Sequence, residues 1–236
     1  MKKLNLFSLL LVMVLIVFSL VGCGGNKENS SQPAGGQTAD KGAAQDVADD
    51  SVESLFAKGE QIEGMSYDYI ITSKDITINS KVWVEGSKIK TDSVVEGKNI
   101  ISIVDGNTFY TYFPEERRAM KLTSDQLGEQ KTETPADFTK DADISPDKYK
   151  VVDTVTYDGV ECKVVTVTSP DRKEQSKMWV RQDYGIPIRI ESTDPNGEKT
   201  IVEFKNLKIG KQPADTFQLP AGVEVTDASE MLKNIP

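Results

Sequence analysis

The sequence predicts a mainly β fold (α+β): one large curved antiparallel sheet built of two meanders, with a few short helices covering its concave face. Three observations predict it. From residue 51 onward apolar and polar residues alternate at period two in run after run, each run bounded by Gly, Pro, Asn or Asp. The runs recur roughly every ten residues, the spacing of hairpin-connected strands. Third, Ser80-Lys81-Val82-Trp83-Val84 recurs as Ser176-Lys177-Met178-Trp179-Val180, 96 residues later and in the same setting of strands and turns. Two similar meanders in series make a single sheet the natural architecture.

The elements follow in order. Asp50 or Ser51 can cap a short helix reaching Lys58, with Glu53 in the capping-box position relative to Asp50 and Val52, Leu55 and Phe56 on one side. Strands are expected at 65–72, 76–84, 88–94, 99–104, 108–113 and 119–122, separated by turns at Glu85-Gly86-Ser87, Glu96-Gly97-Lys98, Asp105-Gly106-Asn107 and Pro114-Glu115-Glu116-Arg117. Residues 123–138 are less patterned and hold short helices, one opening at Thr134-Pro135. Strands resume at 149–157, 161–168, 175–181, 186–192 and 199–206, with turns at Asp158-Gly159, Ser169-Pro170-Asp171, Asp183-Tyr184-Gly185 and Asp194-Pro195-Asn196-Gly197. Pro187 cannot donate to a central ladder, so its strand is an edge or carries a bulge there.

The chain before residue 51 is of another kind. Lys2 and Lys3 precede an apolar run, unbroken from 9 to 18, and then small residues, the pattern of a secretory signal. Leu20-Val21-Gly22-Cys23 resembles the lipobox of bacterial lipoproteins, in which the Cys thiol receives diacylglycerol and the chain is cut just before it. Residues 1–22 are therefore expected as a lipoprotein signal peptide. Residues 23–50 are expected as the lipidated Cys23 and a disordered tether, since they carry no aromatic residue and many Gly, Ala, Ser, Gln and Asp. Residues 51–236 form the one folded domain. Such a tether spans roughly 30 Å as a coil and at most about 90 Å when straight. The domain is placed outside the cytoplasmic membrane, or on an outer membrane where one exists. Gly24 is not the Asp associated with inner-membrane retention.

Composition excludes several chemistries. The 236 residues include no His and two Cys, which removes the Ser-His-Asp triad, imidazole-based metal sites and a disulfide framework. A formal charge of −9 argues against nucleic acid as a partner, and cleavage after residue 22 removes two lysines and no acid. Asp141-Ala142-Asp143-Ile144-Ser145 opens like a calcium loop, but Pro146 stands where Gly is needed and Val152 where a bidentate Glu is needed, so no metal is expected. Carboxylate pairs abound without a nucleophile or phosphate-binding loop beside them. No enzyme activity and no cofactor are expected. Cys162, with Cys23 acylated, has no partner and reads as a small buried hydrophobe.

Alternation assigns an apolar face to Val82 and Val84, Ile101 and Ile103, Phe109, Val165 and Val167, Met178 and Val180, Ile186, Ile188 and Ile190, and Val202 and Phe204. The intervening Lys81, Ser102, Thr166, Arg189, Glu191 and Glu203 are polar. A sheet of about eleven strands curls, and a dry concave face with few helices to fill it points to a hydrophobic cavity. Val82, Val84, Ile101, Ile103, Phe109, Met178, Val180, Ile188, Ile190, Val202 and Phe204 are the candidate ligand wall. Trp83, Trp179, Tyr110 and Tyr112 take the opposite parity, either packing across strands or presenting a surface to a partner.

Several phrases together resemble the LolA-like superfamily of bacterial envelope proteins (LolA, LolB and LppX type). They are Lys81-Val82-Trp83-Val84-Glu85-Gly86, Ile103-Val104-Asp105-Gly106-Asn107-Thr108-Phe109-Tyr110, Gly185-Ile186-Pro187-Ile188-Arg189-Ile190-Glu191 and Phe217-Gln218-Leu219-Pro220-Ala221-Gly222-Val223. The resemblance spans about residues 51–225 and implies a half-open antiparallel barrel with helices in its mouth, binding acyl chains or lipoproteins. It transfers no gating residue, and Cys23 departs from a soluble carrier. Two functions remain open: a membrane-anchored lipoprotein holding a lipid or acyl chain in a hydrophobic cavity, or an envelope module that binds a protein partner and no lipid. Cys23→Ala should abolish incorporation of radiolabelled palmitate and release the protein from the membrane fraction. A variant that stays membrane-bound would instead mark residues 4–22 as an uncleaved anchor.

Overall fold

The computed structural model describes residues 51–74, 76–123, 134–139, 148–168 and 175–228. The signal, Cys23 and the tether lie outside the described residues, as do positions 141–147 of the calcium-like segment and the turn at 169–171. The described residues fall in one compact unit, Asp49–Pro236. Among them no helix is long and apolar enough to cross a membrane.

Helix α1 (Val52–Ala57) opens the domain and is followed by a 3-10 turn, Gly59–Gln61. The strands are β1 (Gly64–Ser73), β2 (Ile76–Glu85), β3 (Lys88–Val95), β4 (Lys98–Asp105), β5 (Thr108–Phe113), β6 (Arg118–Thr123), β7 (Tyr149–Tyr157), β8 (Val160–Thr168), β9 (Gln175–Arg181), β10 (Pro187–Thr193), β11 (Lys199–Ile209) and β12 (Glu224–Asp227). Short 3-10 turns at Pro114–Glu116 and Pro135–Phe138 complete the described elements. All strands belong to one curved, unclosed 12-stranded sheet in the order β12-β6-β5-β4-β3-β2-β1-β11-β10-β9-β8-β7. Two antiparallel meanders, β1–β6 and β7–β11, meet where β1 pairs with β11, and β12 adds in parallel to β6.

Local chemistry accounts for the meanders. Glu96-Gly97 and Asp158-Gly159 both take positive φ at each position, the two-residue type I′ turn whose twist matches that of the flanking strands. The internal echo is structural too. Ser80 meets Ser93 on the next strand and Ser176 meets Ser192; likewise Trp83 opposes Lys90 and Trp179 opposes Arg189. Pro187 is accommodated in the interior of the sheet, between β9 and β11, by a bulge between Pro187 and Arg189. β7 carries a bulge of its own at Val152, between Val151 and Asp153.

α1 is too short to hold itself together in water. Ser51 caps it, accepting from Ser54 N at 3.1 Å, while Asp50, the partner in the expected box with Glu53, lies outside the described residues. Tertiary packing does the rest. Leu55 and Phe56 are buried against Met65, Tyr67, Val82, Val84, Met178, Val180, Val202 and Phe204, and Lys58 Nζ donates to Gln182 O at 2.6 Å. The turn Pro135–Phe138 joins the same face through Ala136 and Phe138, closed by a capping box in which Thr134 N and Oγ1 donate to Asp137 at 2.8 and 2.6 Å. We call this the helix face of the sheet.

Directly opposed residues share a face, so register sorts every side chain. Met65, Val84, Ile89, Val104, Phe109 and Leu122 form one row of the helix face; Tyr67, Val82, Thr91, Ser102, Thr111 and Met120 form the next. Ile101 opposes Asp92 and Tyr112, and Ile103 opposes Lys90 and Tyr110. Both therefore lie on the back face with Trp83, not beside Val82 and Val84 as expected from parity. In β4 isoleucine and valine occur at both parities (Ile100, Ile101, Ile103, Val104), so alternation alone does not choose between faces. Ile188 is buried, but the β10 bulge takes it out of the alternation that placed it with Ile190.

The back face of β4–β6 is buried as well: Ile103 and Ala119 are 1% exposed and Tyr112 7%. β11 and β12 point the same way, which requires a crossover over one face of the sheet. That connection, 210–223, leaves on the back face, where Gln212 N donates to Glu85 Oε2 at 2.6 Å, and arrives where Arg117 Nη2 donates to Ala221 O at 3.3 Å. Strand β12 was not expected from the sequence, although Val223-Glu224-Val225-Thr226 after Gly222 alternates.

The tightest joint is between α1 and the β9–β10 turn. Gly185 has φ +65°, and a Cβ there would lie 1.9 Å from Leu55 O. Gly197 has φ +82° with nothing within 4 Å of the added carbon. Gly197→Ala should cost about 1–2 kcal/mol in urea denaturation from the left-handed backbone alone. Gly185→Ala should cost more than about 3 kcal/mol, because helix and turn must part. Equal costs would show that α1 is not seated on the turn.

Candidate functional site

The predicted wall residues separate into distinct environments. Val82, Val84, Met178, Val180, Ile190, Val202 and Phe204 share the helix face, and α1 and the turn Pro135–Phe138 pack onto them, so these side chains form the core and do not line open space. The aromatic centre of that core is Phe204, with Tyr67 edge-on at 5.4 Å between centroids, Tyr69 at 5.6 Å and Phe138 at 6.1 Å. Burial, helped by Tyr69 and Asp137 nearby, holds the Tyr67 hydroxyl protonated far above its ordinary range. Phe56 contacts Tyr149 edge-on at 5.7 Å, tying the helix to β7.

Phe109 differs. It lies on the helix face of β5, half-buried, beside half-buried Val104 and Ile89. None of the three packs under α1 as the core residues do, although Ile89 touches the edge of the core. The neighbouring row carries Thr91, Ser102 and Thr111, also half-buried. The helix face of β3–β5 is thus an apolar row alongside a hydroxyl row. Period-two reading missed it because it followed Ile101 and Ile103 to the other side of β4; the signal was the opposed Thr91, Ser102 and Thr111, legible only once register is known.

The back face of β7–β11 holds a saturated aromatic and ionic cluster. Arg189 stacks between Trp179 and Tyr157, with its guanidinium carbon 5.3 and 5.7 Å from the ring centroids, and pairs with Glu191 at 2.5 Å and Glu203 at 3.0 Å. Lys205 lies 4.7 Å over the Tyr157 ring, donates to the Tyr157 hydroxyl at 3.1 Å and pairs with Glu203 at 3.2 Å; the Tyr157 hydroxyl itself bonds Glu203. Lys177 lies 4.8 Å from the Trp179 ring. Desolvation pushes the Glu203 carboxyl up, but hydrogen bonds from Tyr157 and Lys205 and the charges of Lys205 and Arg189 outweigh it and hold it below its ordinary 4.5. For Glu191, desolvation is likewise outweighed by the hydrogen bond and charge of Arg189 and by Lys199.

Cys162 is fully buried, and burial above all pushes its thiol up to about 11, against a smaller opposing effect of Arg181. A thiol in that state is inert at neutral pH. A surface depression near Thr72 and Ile201 contains Lys74 and Lys199, but these already pair with Glu198 at 2.6 Å and Glu191 at 3.4 Å. Among the described residues no group of three Cys, Asp or Glu side chains is placed to hold a metal.

Residues 87–230 match a protein-family model described as "Uncharacterized protein", and the chain belongs to that family. No curated protein matches the sequence significantly. Many solved structures share its architecture. An uncharacterized conserved protein from Thermus thermophilus is 8% identical, with TM-score 0.50 over 74% of this chain and 98% of that one. MucB in its complex with MucA from Pseudomonas aeruginosa is 14% identical, with TM-score 0.46 over 72% of this chain and 61% of MucB. A LolA superfamily protein from Nitrosomonas europaea is 14% identical, with TM-score 0.35 over 71% of this chain and 97% of that one. At these identities the likeness is one of fold. That fold is the curved, unclosed antiparallel sheet that the LolA-like resemblance implied.

Both glutamates of the cluster have lowered pKa values in the folded chain, so their contribution to stability is complete above the unfolded-state value and is lost as pH falls. Unfolding free energy should therefore drop as pH falls below about 5 in the parent chain. Glu191→Gln/Glu203→Gln should be less stable near neutrality and show a flatter slope in that window by urea titration. An unchanged slope would place the acid-sensitive groups elsewhere.

Proposed function

We propose that the protein is a non-enzymatic lipoprotein of the bacterial cell envelope, anchored through Cys23, which holds a lipid or acyl chain against the helix face of β3–β5. The observation that carries this reading is the row Ile89, Val104 and Phe109. It continues the core row of Met65 and Val84 outward, yet its side chains are only half-buried. A dozen methylenes laid with one side on such a surface contribute roughly 5 kcal/mol, about half of the 0.8 kcal/mol that each gives when fully buried, and this offsets part of the cost of association. No covalent step is required. The anchor and the acidic domain suit a protein held off an anionic membrane surface.

The second reading, an envelope protein partner docking on the tryptophans, draws less support. Trp179 is already flanked by Lys177 and Arg189, and the charges around it are paired. Binding of the fluorescent probe N-phenylnaphthylamine tests the first reading. The parent chain should bind it, Phe109→Ser should weaken binding at least fivefold, and Ile101→Val on the back face should leave it unchanged. A parent chain that binds none, or a Phe109→Ser variant that binds equally, would remove the acyl chain from this face.

A further inference from the structure

We propose that residues 229–236, which follow β12 and lie outside the described residues, turn back from the border of the sheet and lie on the helix face over Leu122, Phe109 and Val104, so that an acyl chain must displace them to bind. That the segment lies there stands by itself; the competition rests on the acyl-chain reading and adds its regulation.

Register carries the apolar row beyond β6. Glu224 to Asp227 pair in parallel with Arg118 to Lys121, and Ala228 N donates to Lys121 O at 2.9 Å, which continues the ladder and sets Ala228 beside Leu122. Thr226 shares a face with Met120, so Ala228, two residues on, stands with Leu122 on the helix face. The row therefore runs through Ile89, Val104, Phe109, Leu122 and Ala228 to the last strand. A side chain on the last strand has a neighbour on one side only, so on an uncovered face exposure rises toward the border. Here it falls. Ile89, Val104 and Phe109 are half-buried, whereas Leu122 is 7% exposed and Ala228 3%. Cover reaches this row from the border inward.

Two stretches follow the strands at that border, 124–133 after β6 and 229–236 after β12. The first has one large apolar residue, Leu127, among Asp125, Glu129, Lys131 and Glu133. The second has three in eight residues: Met231, Leu232 and Ile235. Their spacing gathers apolar side chains on one side of a helical turn and leaves Glu230, Lys233 and Asn234 on the other. Reach is sufficient. Strands lie about 4.8 Å apart, which puts Phe109 about 10 Å and Val104 about 14 Å from Ala228. Four residues span at most about 13 Å, so Leu232 comes to Phe109 and Ile235 to Val104. A segment joined to the site it covers acts at roughly millimolar effective concentration, and the fraction of time it is seated lowers the apparent affinity of any competitor.

The test uses the full chain carrying Cys23→Ser, so that its own acyl groups do not compete. With Leu232→p-benzoylphenylalanine, irradiation should join residue 232 to Val104 or Phe109, and N-phenylnaphthylamine should lower that yield at least threefold. A chain ended after Ala228 should bind the probe at least fivefold more tightly than the full chain. Met231→Ser/Leu232→Ser/Ile235→Ser should do the same, and keeps the comparison readable if the shortened chain unfolds. Crosslinks to 124–133 or to the back face instead, or none, would overturn the proposal and leave acyl-chain binding intact. Where the full chain binds the probe, a shortened chain that binds it no better, or a crosslink indifferent to it, would do likewise. If the crosslink to Val104 or Phe109 formed and neither chain bound the probe, the segment would stand as fixed cover and the acyl-chain reading would fall.

Discussion

Everything in this fold depends on the pairing of β1 with β11. Those strands lie at opposite ends of the domain sequence, and their register runs from Met65 opposite Ile209 to Ser73 opposite Thr200 with one irregularity near Asp68. The contact closes a long loop, so its entropic cost must be met before the sheet is continuous. Once made, it brings Phe204 beside Tyr69 and Val202 beside Ile71, merging the apolar rows of two meanders into one core. α1 and the turn Pro135–Phe138 have a surface to sit on only because both meanders supply it.

The division of the sheet into a filled part and a less-covered part follows from where the small elements land. α1 is fixed at one corner by the close approach of Gly59 and Gly185 and by Lys58 on Gln182. From there it reaches the face of β8–β11, β1 and β2, and the helix face of β3–β5 lies beyond it. On the other side of those same strands the crossover 210–223 runs from Glu85 to Arg117. The first meander is therefore backed by its own C-terminal segment and left with an amphipathic front. The second is packed in front and carries its ionic cluster behind.

Much of this was legible in the chain. The strands up to β11, the capped helix and the helical turn at Thr134-Pro135 follow from alternation and turn chemistry, because those signals are local. The echo between residues 80–84 and 176–180 foretold two meanders, and the structure extends it to the serine and cation partners on the following strands. What was not legible required register. Ile101 and Ile103 have the periodicity of a wall, but only their opposition to Asp92 and Lys90 shows which side they face. The bulge at Ile188 and the parallel docking of Val225 beside Ala119 are likewise set by partners far away in sequence. The distinction between a wall that is core and a row that stays half-buried depends on where a six-residue helix comes to rest.

An unclosed sheet keeps two lateral borders, and each is a template on which a neighbouring copy could polymerise. The border at β7 is spoiled by its own shape: the bulge at Val152 breaks the ladder at mid-strand, with Lys150 and Asp153 on either side. The border at β6 is spoiled by β12, a four-residue strand flanked by Glu224 and Asp227 and too short to seed a long ladder. Copies that meet edge to edge therefore find no long ladder to extend, so the sheet can stay unclosed without seeding fibrils.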